Sequence, residues 1–296
     1  MEQLLTVAPD VHLWTEQRGA PDAPPLLLIM GAGASGLGWP EPLVDALAAR
    51  HRVIRYDHRD TGRSTWSYEQ RPYRITDLAE DAVAVLDGLG VERAHLVGLS
   101  LGGMLTQLLI ADHPDRVLSA TLIGTAALST TPYTRPDGTV LPAEELPGIS
   151  PEVLELWSQP VEDHGPEAEL DRRVTHWQAL SGDQLPFDAP HFRDLERRII
   201  EHAGRHTTSP AHALADDSGM LRTEALATTE VPVQVILAPA EPVFPPPHAQ
   251  HLTQAIRGAH LTEIPGMGHA LPPRLLPILT RAILSHTQGV TAPNVS

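Results

Sequence analysis

The sequence predicts an α/β protein with a mostly parallel sheet and helices on both faces. Strand-length apolar runs alternate with longer segments of helical spacing, the pattern of right-handed βαβ units. The run Pro25-Leu26-Leu27-Leu28-Ile29-Met30 is apolar without interruption, as befits a strand covered on both faces. Three strand candidates end in glycine-rich or polar loops, at Gly31, Asp57 and Ser100. In such sheets, sites form at the carboxyl ends of the strands.

Taken in order, residues 11–17 read as an edge strand. The strand at 25–30 runs into Gly31-Ala32-Gly33-Ala34-Ser35-Gly36, too glycine-rich for regular structure. Residues 41–49 have helical spacing through Leu43, Val44, Leu47 and Ala48. Residues 52–56 form the next strand, closing on Asp57. Ile75, Leu78, Ala79, Ala82, Val83, Leu86 and Leu89 make one stripe of an amphipathic helix over 75–89, with Thr76 or Asp77 as its cap. A strand over 94–99, a helix over 101–111 and a strand over 117–123 follow. The pattern breaks after Thr125. Residues 129–150, rich in Thr, Pro and Gly, read as irregular. From 151 to about 223 there are helical stretches (153–157, 170–180, 192–202) and no strand. Strands return at 231–237 and 259–264, with helices at 248–256 and 275–286. The expected organisation is therefore an α/β core of 1–125 and 226–288, a helical cap of 126–225, and a flexible tail of 289–296.

Composition narrows the function. The 296 residues and 42% hydrophobic content support one large core. A formal net charge of −16 argues against nucleic acid or an anionic membrane surface as partner. All 21 cationic residues are arginine, so Schiff-base and P-loop lysines are excluded. With no cysteine, thiolate nucleophiles, disulfides and Cys-ligated metals are excluded as well. The first residues lack a basic stretch and a long apolar run, so no secretory signal is expected, and no window has the roughly 18 apolar residues of a membrane span. The expectation is a cytoplasmic protein acting on a small molecule; the oligomeric state is not legible.

The chemistry centres on Gly98-Leu99-Ser100-Leu101-Gly102. A strand precedes this Gly-x-Ser-x-Gly and a helix follows it, the context in which a serine stands at the apex of a sharp turn. A serine hydroxyl needs a base, and the base needs an orienting acceptor. His269, in Pro265-Gly266-Met267-Gly268-His269 directly after a predicted strand, is the expected base. The loop after the strand ending at Leu237 contains a single carboxylate, Glu241, the expected acid; Asp216 or Asp217 would replace it if Glu241 proved dispensable. Serine, acid and histidine then occur in the chain order this architecture uses. The N–H groups of Leu101, at a helix N-terminus, and of Ala32, in the glycine-rich loop, are the expected oxyanion donors. No metal site is expected: His202 and His206 have zinc-like spacing but lack the accompanying glutamate and read as cap surface. Trp39 and Trp157 are the candidate substrate contacts, because ligand pockets are mostly apolar and form between domains.

These features together resemble the α/β-hydrolase fold, over nearly the whole chain. Met30-Gly31-Ala32 stands where that family often has His-Gly-x. Asp57-His58-Arg59-Asp60-Thr61-Gly62-Arg63-Ser64 resembles its Asp-x-Arg-Gly-x-Gly-x-Ser loop, with Asp60 replacing a glycine. The resemblance implies a helical cap inserted after the sixth strand. Within the fold, the chain most resembles the aclacinomycin methylesterase group, through residues 30–40, 53–64, 81–88, 97–100 and 263–272. That group implies hydrolysis of a methyl ester on a polycyclic aromatic polyketide, without a cofactor. Glu241 departs from the aspartate that group carries. Two alternatives stand beside this reading: an amide or C–C bond hydrolase, lyase or cyclase on the same fold, and a non-catalytic ligand-binding protein.

Overall fold

The computed structural model describes residues 1–159 and 163–289; the expected tail lies outside them apart from Gly289. Its chain order is β1 (Glu2–Ala8), β2 (Val11–Arg18), β3 (Pro25–Ile29), α1 (Glu41–Ala48), β4 (Arg52–Tyr56), α2 (Ile75–Gly88), β5 (Ala94–Leu99), α3 (Leu101–Asp112) and β6 (Val117–Ile123). Next come the short strands β7 (Tyr133–Thr134) and β8 (Val140–Leu141), then α4 (Pro151–Ser158), α5 (Pro166–Leu180), α6 (Ala189–Ala203), α7 (Ala211–Leu214) and α8 (Thr223–Thr228). The chain ends with β9 (Val233–Leu237), α9 (His248–Ala255), β10 (His260–Glu263) and α10 (Leu276–Gln288).

Eight strands form one sheet in the order β1-β2-β4-β3-β5-β6-β9-β10. β1 and β2 are antiparallel to their neighbours, and the other pairs are parallel. The two-residue period of β3 divides the core. Leu27 and Ile29 pack on one face with residues of α2 and α3. Leu26 and Leu28 pack on the other with Leu43, Val44 and Leu47 of α1 and Leu279 and Ile283 of α10. α3 is buried nearly all round, as a helix enclosed between sheet and neighbouring helices must be. No helix among the described residues is long and apolar enough to cross a membrane.

Four expectations need correction. Residues 11–17 are not the edge: β1 pairs outside them through a two-residue turn at Pro9-Asp10. β1 escapes notice in the sequence because one face is half-open and its alternation is shallow, with Leu4 exposed. The irregular stretch 129–150 contains the β7–β8 hairpin. α2 starts one residue before the candidate caps: Asp77 accepts from the Arg74 N–H at 2.9 Å, so it closes the first turn from inside. Trp39 is wholly buried among Met30, Leu43 and Val44, a core position and not a pocket wall. The carbonyl of Trp39 accepts from buried Arg55, which also binds Glu16 and Glu41.

Buried histidines at the amino ends of the strands couple stability to pH. His95 of β5 shares a hydrogen bond with Ser119 of β6 at 2.8 Å, and His51 meets it edge-on. Burial, then the neighbouring His51 and His286, lowers its pKa from 6.5 to about 4. The unfolded chain therefore binds a proton that the native state refuses between these values. Stability is full above pH 6.5 and declines as pH falls toward 4, by about 2 kcal/mol at pH 5 from this residue alone. Thermal melts should show Tm falling between pH 7.5 and 5, and His95→Gln should lose less over the same interval; equal losses would remove His95 as the cause.

Candidate active site

Ser100 lies between β5 and α3 with φ 56° and ψ −120°, a backbone region that side chains rarely adopt. The neighbouring glycines make this turn possible by absence of bulk. A Cβ on Gly98 would lie 2.2 Å from the Gly102 carbonyl oxygen, and one on Gly102 would lie 2.0 Å from that of Ile29. The first turn of α3 thus sits directly on the carboxyl ends of β3 and β5. The Ser100 N–H donates to the Ile123 carbonyl at 2.9 Å, tying the turn to the end of β6 as well.

The residue after Ile123 is Gly124, with φ +50°, and the side chains of His269 and Glu241 occupy the space its side chain would fill. A Cβ there would lie 2.8 Å from Glu241 Oε2 and 3.0 Å from His269 Nδ1. The Nδ1–H of His269 donates to both carboxylate oxygens of Glu241, at 2.8 and 2.9 Å. This leaves Nε2 as the acceptor. Glu241 Oε1 also accepts from the N–H groups of Val243 and Phe244. Burial alone would raise its pKa, but the His269 charge and hydrogen bond, with these two amides, hold it below the ordinary carboxylate range. The structure therefore brings Ser100, Glu241 and His269 to one end of the sheet. Asp216, the substitute acid, is instead on the surface near Arg74.

The loop after β3 lies against the serine: a Cβ on Gly31 would be 3.3 Å from Ser100 Cβ and 3.8 Å from its Oγ. Ala32 follows, exposed, and Leu101 opens α3, where first-turn N–H groups lack intrahelical acceptors. The loop is anchored beneath. Wholly buried Asp57 accepts from Ser35 Oγ (2.5 Å), from the Gly36 N–H (2.8 Å) and from the Arg63 N–H (2.9 Å). Its carboxylate also accepts from His202 Nε2 of α6, at 2.7 Å. Burial raises the Asp57 pKa, and His202, Ser35 and Arg63 more than offset it, so the carboxylate stays ionised. His202 is therefore not the cap-surface residue expected from the sequence: its side chain is buried against Asp57. His206 pairs elsewhere, with Asp163 at 3.0 Å. No group of three or more potential metal ligands occurs among the described residues.

The segment between β6 and β9 touches the site from above. The His269 N–H donates to the Leu180 carbonyl at the end of α5, at 2.8 Å, and a Cβ on Gly182 would strike the Ala240 carbonyl at 2.4 Å. Trp177 and Phe187 stack on Phe192 to form this segment's own apolar centre, joined by Ala270 beside the base. Trp157 is half-open and lines a cavity of about 580 Å³ with Leu156, Arg172, His176 and His206. Nothing in the local sequence marks Gly124, His212 or His58 for the positions they take here.

This arrangement defines a class. The chain belongs to the α/β-hydrolase fold family, whose model matches residues 24–272. It is similar to rhodomycin D methylesterase DnrP of Streptomyces peucetius, at 40% identity over 95% of this chain and 97% of that protein. It resembles rhodomycin D methylesterase DauP of Streptomyces sp. (strain C5) to the same degree and coverage. Among solved structures, a hydrolase from Pseudomonas aeruginosa PA01 superposes with a TM-score of 0.68 at 25% identity, covering 96% of this chain and 97% of that one.

Gly124→Ala should fold with a loss of about 1–2 kcal/mol, since it forces a side chain into positive φ. Its kcat should drop at least about tenfold, because the new methyl pushes the His269–Glu241 pair away from Ser100. Wild-type kcat at reduced Tm would show that the pair does not depend on this gap.

Proposed function

We propose that the protein is a serine carboxylesterase hydrolysing a methyl ester on a bulky aromatic polyketide, working in the cytoplasm without nucleic acid, membrane or cofactor. The observation that carries this reading is the bidentate His269–Glu241 pair seated in the side-chain gap of Gly124, one residue beyond the strand end that holds Ser100. The substrate class rests on the two methylesterases that share 40% of their sequence with this chain over nearly its full length.

In this mechanism the Ser100 Oγ attacks the ester carbonyl as His269 Nε2 takes its proton. The N–H groups of Leu101 and Ala32 receive the oxyanion. His269 returns the proton to the departing methanol, then activates the water that releases the acid. Glu241 fixes the imidazole tautomer and stabilises the imidazolium. The core of 1–125 and 226–288 performs the chemistry, and the cap of 126–225 selects the substrate, with Trp157 as its aromatic contact.

Incubation with a panel of polyketide methyl esters should give, for the true substrate, a product lighter by one methylene and an equivalent of methanol. Ser100→Ala should reduce kcat by at least about 10³-fold. Glu241→Gln should lose at least about a hundredfold, because the neutral amide neither orients nor stabilises the charged ring. Turnover by pure Ser100→Ala at the wild-type rate would refute the serine mechanism.

A further inference from the structure

We infer that His212 of the cap is a positioning residue for the oxyanion loop, so that the seating of the cap sets the geometry of the catalytic centre. This rests on the reading of Ala32 as an oxyanion donor. The Gly33 N–H donates to His212 Nδ1 at 2.9 Å, and the His212 Nε2–H donates to the Arg59 carbonyl at 2.9 Å. Because the Gly33 amide can only donate, the tautomer is dictated. The first bond fixes the Ala32–Gly33 peptide, which directly follows the one presenting the Ala32 N–H.

The other end of the loop is held in the same manner. The His58 Nε2–H donates to the Met30 carbonyl at 2.9 Å, and the rings of His58 and His212 meet edge-on at 5.6 Å. Between these ties, Gly31 rests against Ser100. A glycine-rich loop has no side-chain packing of its own to choose among peptide orientations. An oxyanion donor works only if it already points at the site where charge develops. His212 supplies that preorganisation from a short helix, α7, that belongs to neither the sheet nor the nucleophile turn. The groups facing the ring are His58, Arg59 and Tyr73. Burial, then the His58 charge, lowers the His212 pKa to about 3, so the Nδ1 lone pair persists across the working range.

Two amide substitutions separate its two bonds. His212→Asn keeps an acceptor at the position of Nδ1 and loses reach to Arg59; His212→Gln keeps the reach and loses the acceptor. With p-nitrophenyl butyrate as the probe ester, His212→Asn should stay within about fivefold of wild-type kcat. His212→Gln and His212→Leu should fall about 10- to 100-fold with KM changed less than about threefold, a fraction of the cost of deleting an oxyanion donor. A purely structural role predicts instead that kcat follows Tm, whichever bond is kept. His212→Gln at wild-type kcat, or His212→Asn as slow as His212→Gln, overturns the proposal. If His212→Leu gives no cooperative melt, the Asn and Gln pair decides. Ser100→Ala run alongside keeps the two readings apart: activity there sinks the serine site itself, whereas an inactive Ser100→Ala with an unimpaired His212→Gln sinks the positioning role alone.

Discussion

Everything at the carboxyl edge of the sheet depends on one close approach, the first turn of α3 lying on the backbone of β3. A Cβ on Gly102 would lie only 2.0 Å from the Ile29 carbonyl oxygen, and one on Gly98 only 2.2 Å from that of Gly102. That contact holds Ser100 at φ 56°, a conformation the chain would otherwise leave. The same contact fixes where β3 ends, and so where the loop carrying Ala32 begins. The strain is sustained by a core packed on both sheet faces and by the bond from Ser100 to Ile123.

Glu241 shows how one extra methylene is accommodated. Both carboxylate oxygens reach His269, while Oε1 also collects two amides of its own loop, so the longer side chain is as constrained as a shorter one. Its depressed pKa is the electrostatic result: the carboxylate is buried yet stays charged because His269 and the amides of Val243 and Phe244 outweigh the cost of burial.

The sheet and the placing of Ser100, Glu241 and His269 at one end of it are legible in the sequence because each follows a local rule. Alternation and apolar runs give the strands, Gly-x-Ser-x-Gly gives the turn, and strand-then-loop position gives Glu241 and His269. What escapes has no local signature. β1 hides because its alternation is shallow. Trp39 reads as a pocket residue because an aromatic beside a glycine-rich loop looks the same whether it faces in or out. His202, His58 and Gly124 acquire their roles only from partners 145, 28 and 117 positions away, the last counted from Gly124 to Glu241. Asp60 is intermediate: at φ 59° it occupies the left-handed region, which aspartate tolerates better than most residues and which explains how it can stand at a glycine position.

The bond from Leu180 to the backbone of His269, with Gly182 pressed on Ala240, bears on how this scaffold can diversify. The cap is not a detachable module set over a finished machine. Its helix ends are part of the framework that locates the loops of Glu241 and His269. Exchanging the whole segment 126–225 between relatives would disturb the loops that carry Glu241 and His269. Side chains in the middle of the segment, around Trp157 and His176, make none of these end contacts and can change while the lengths and ends of α5, α6 and α7 stay as they are.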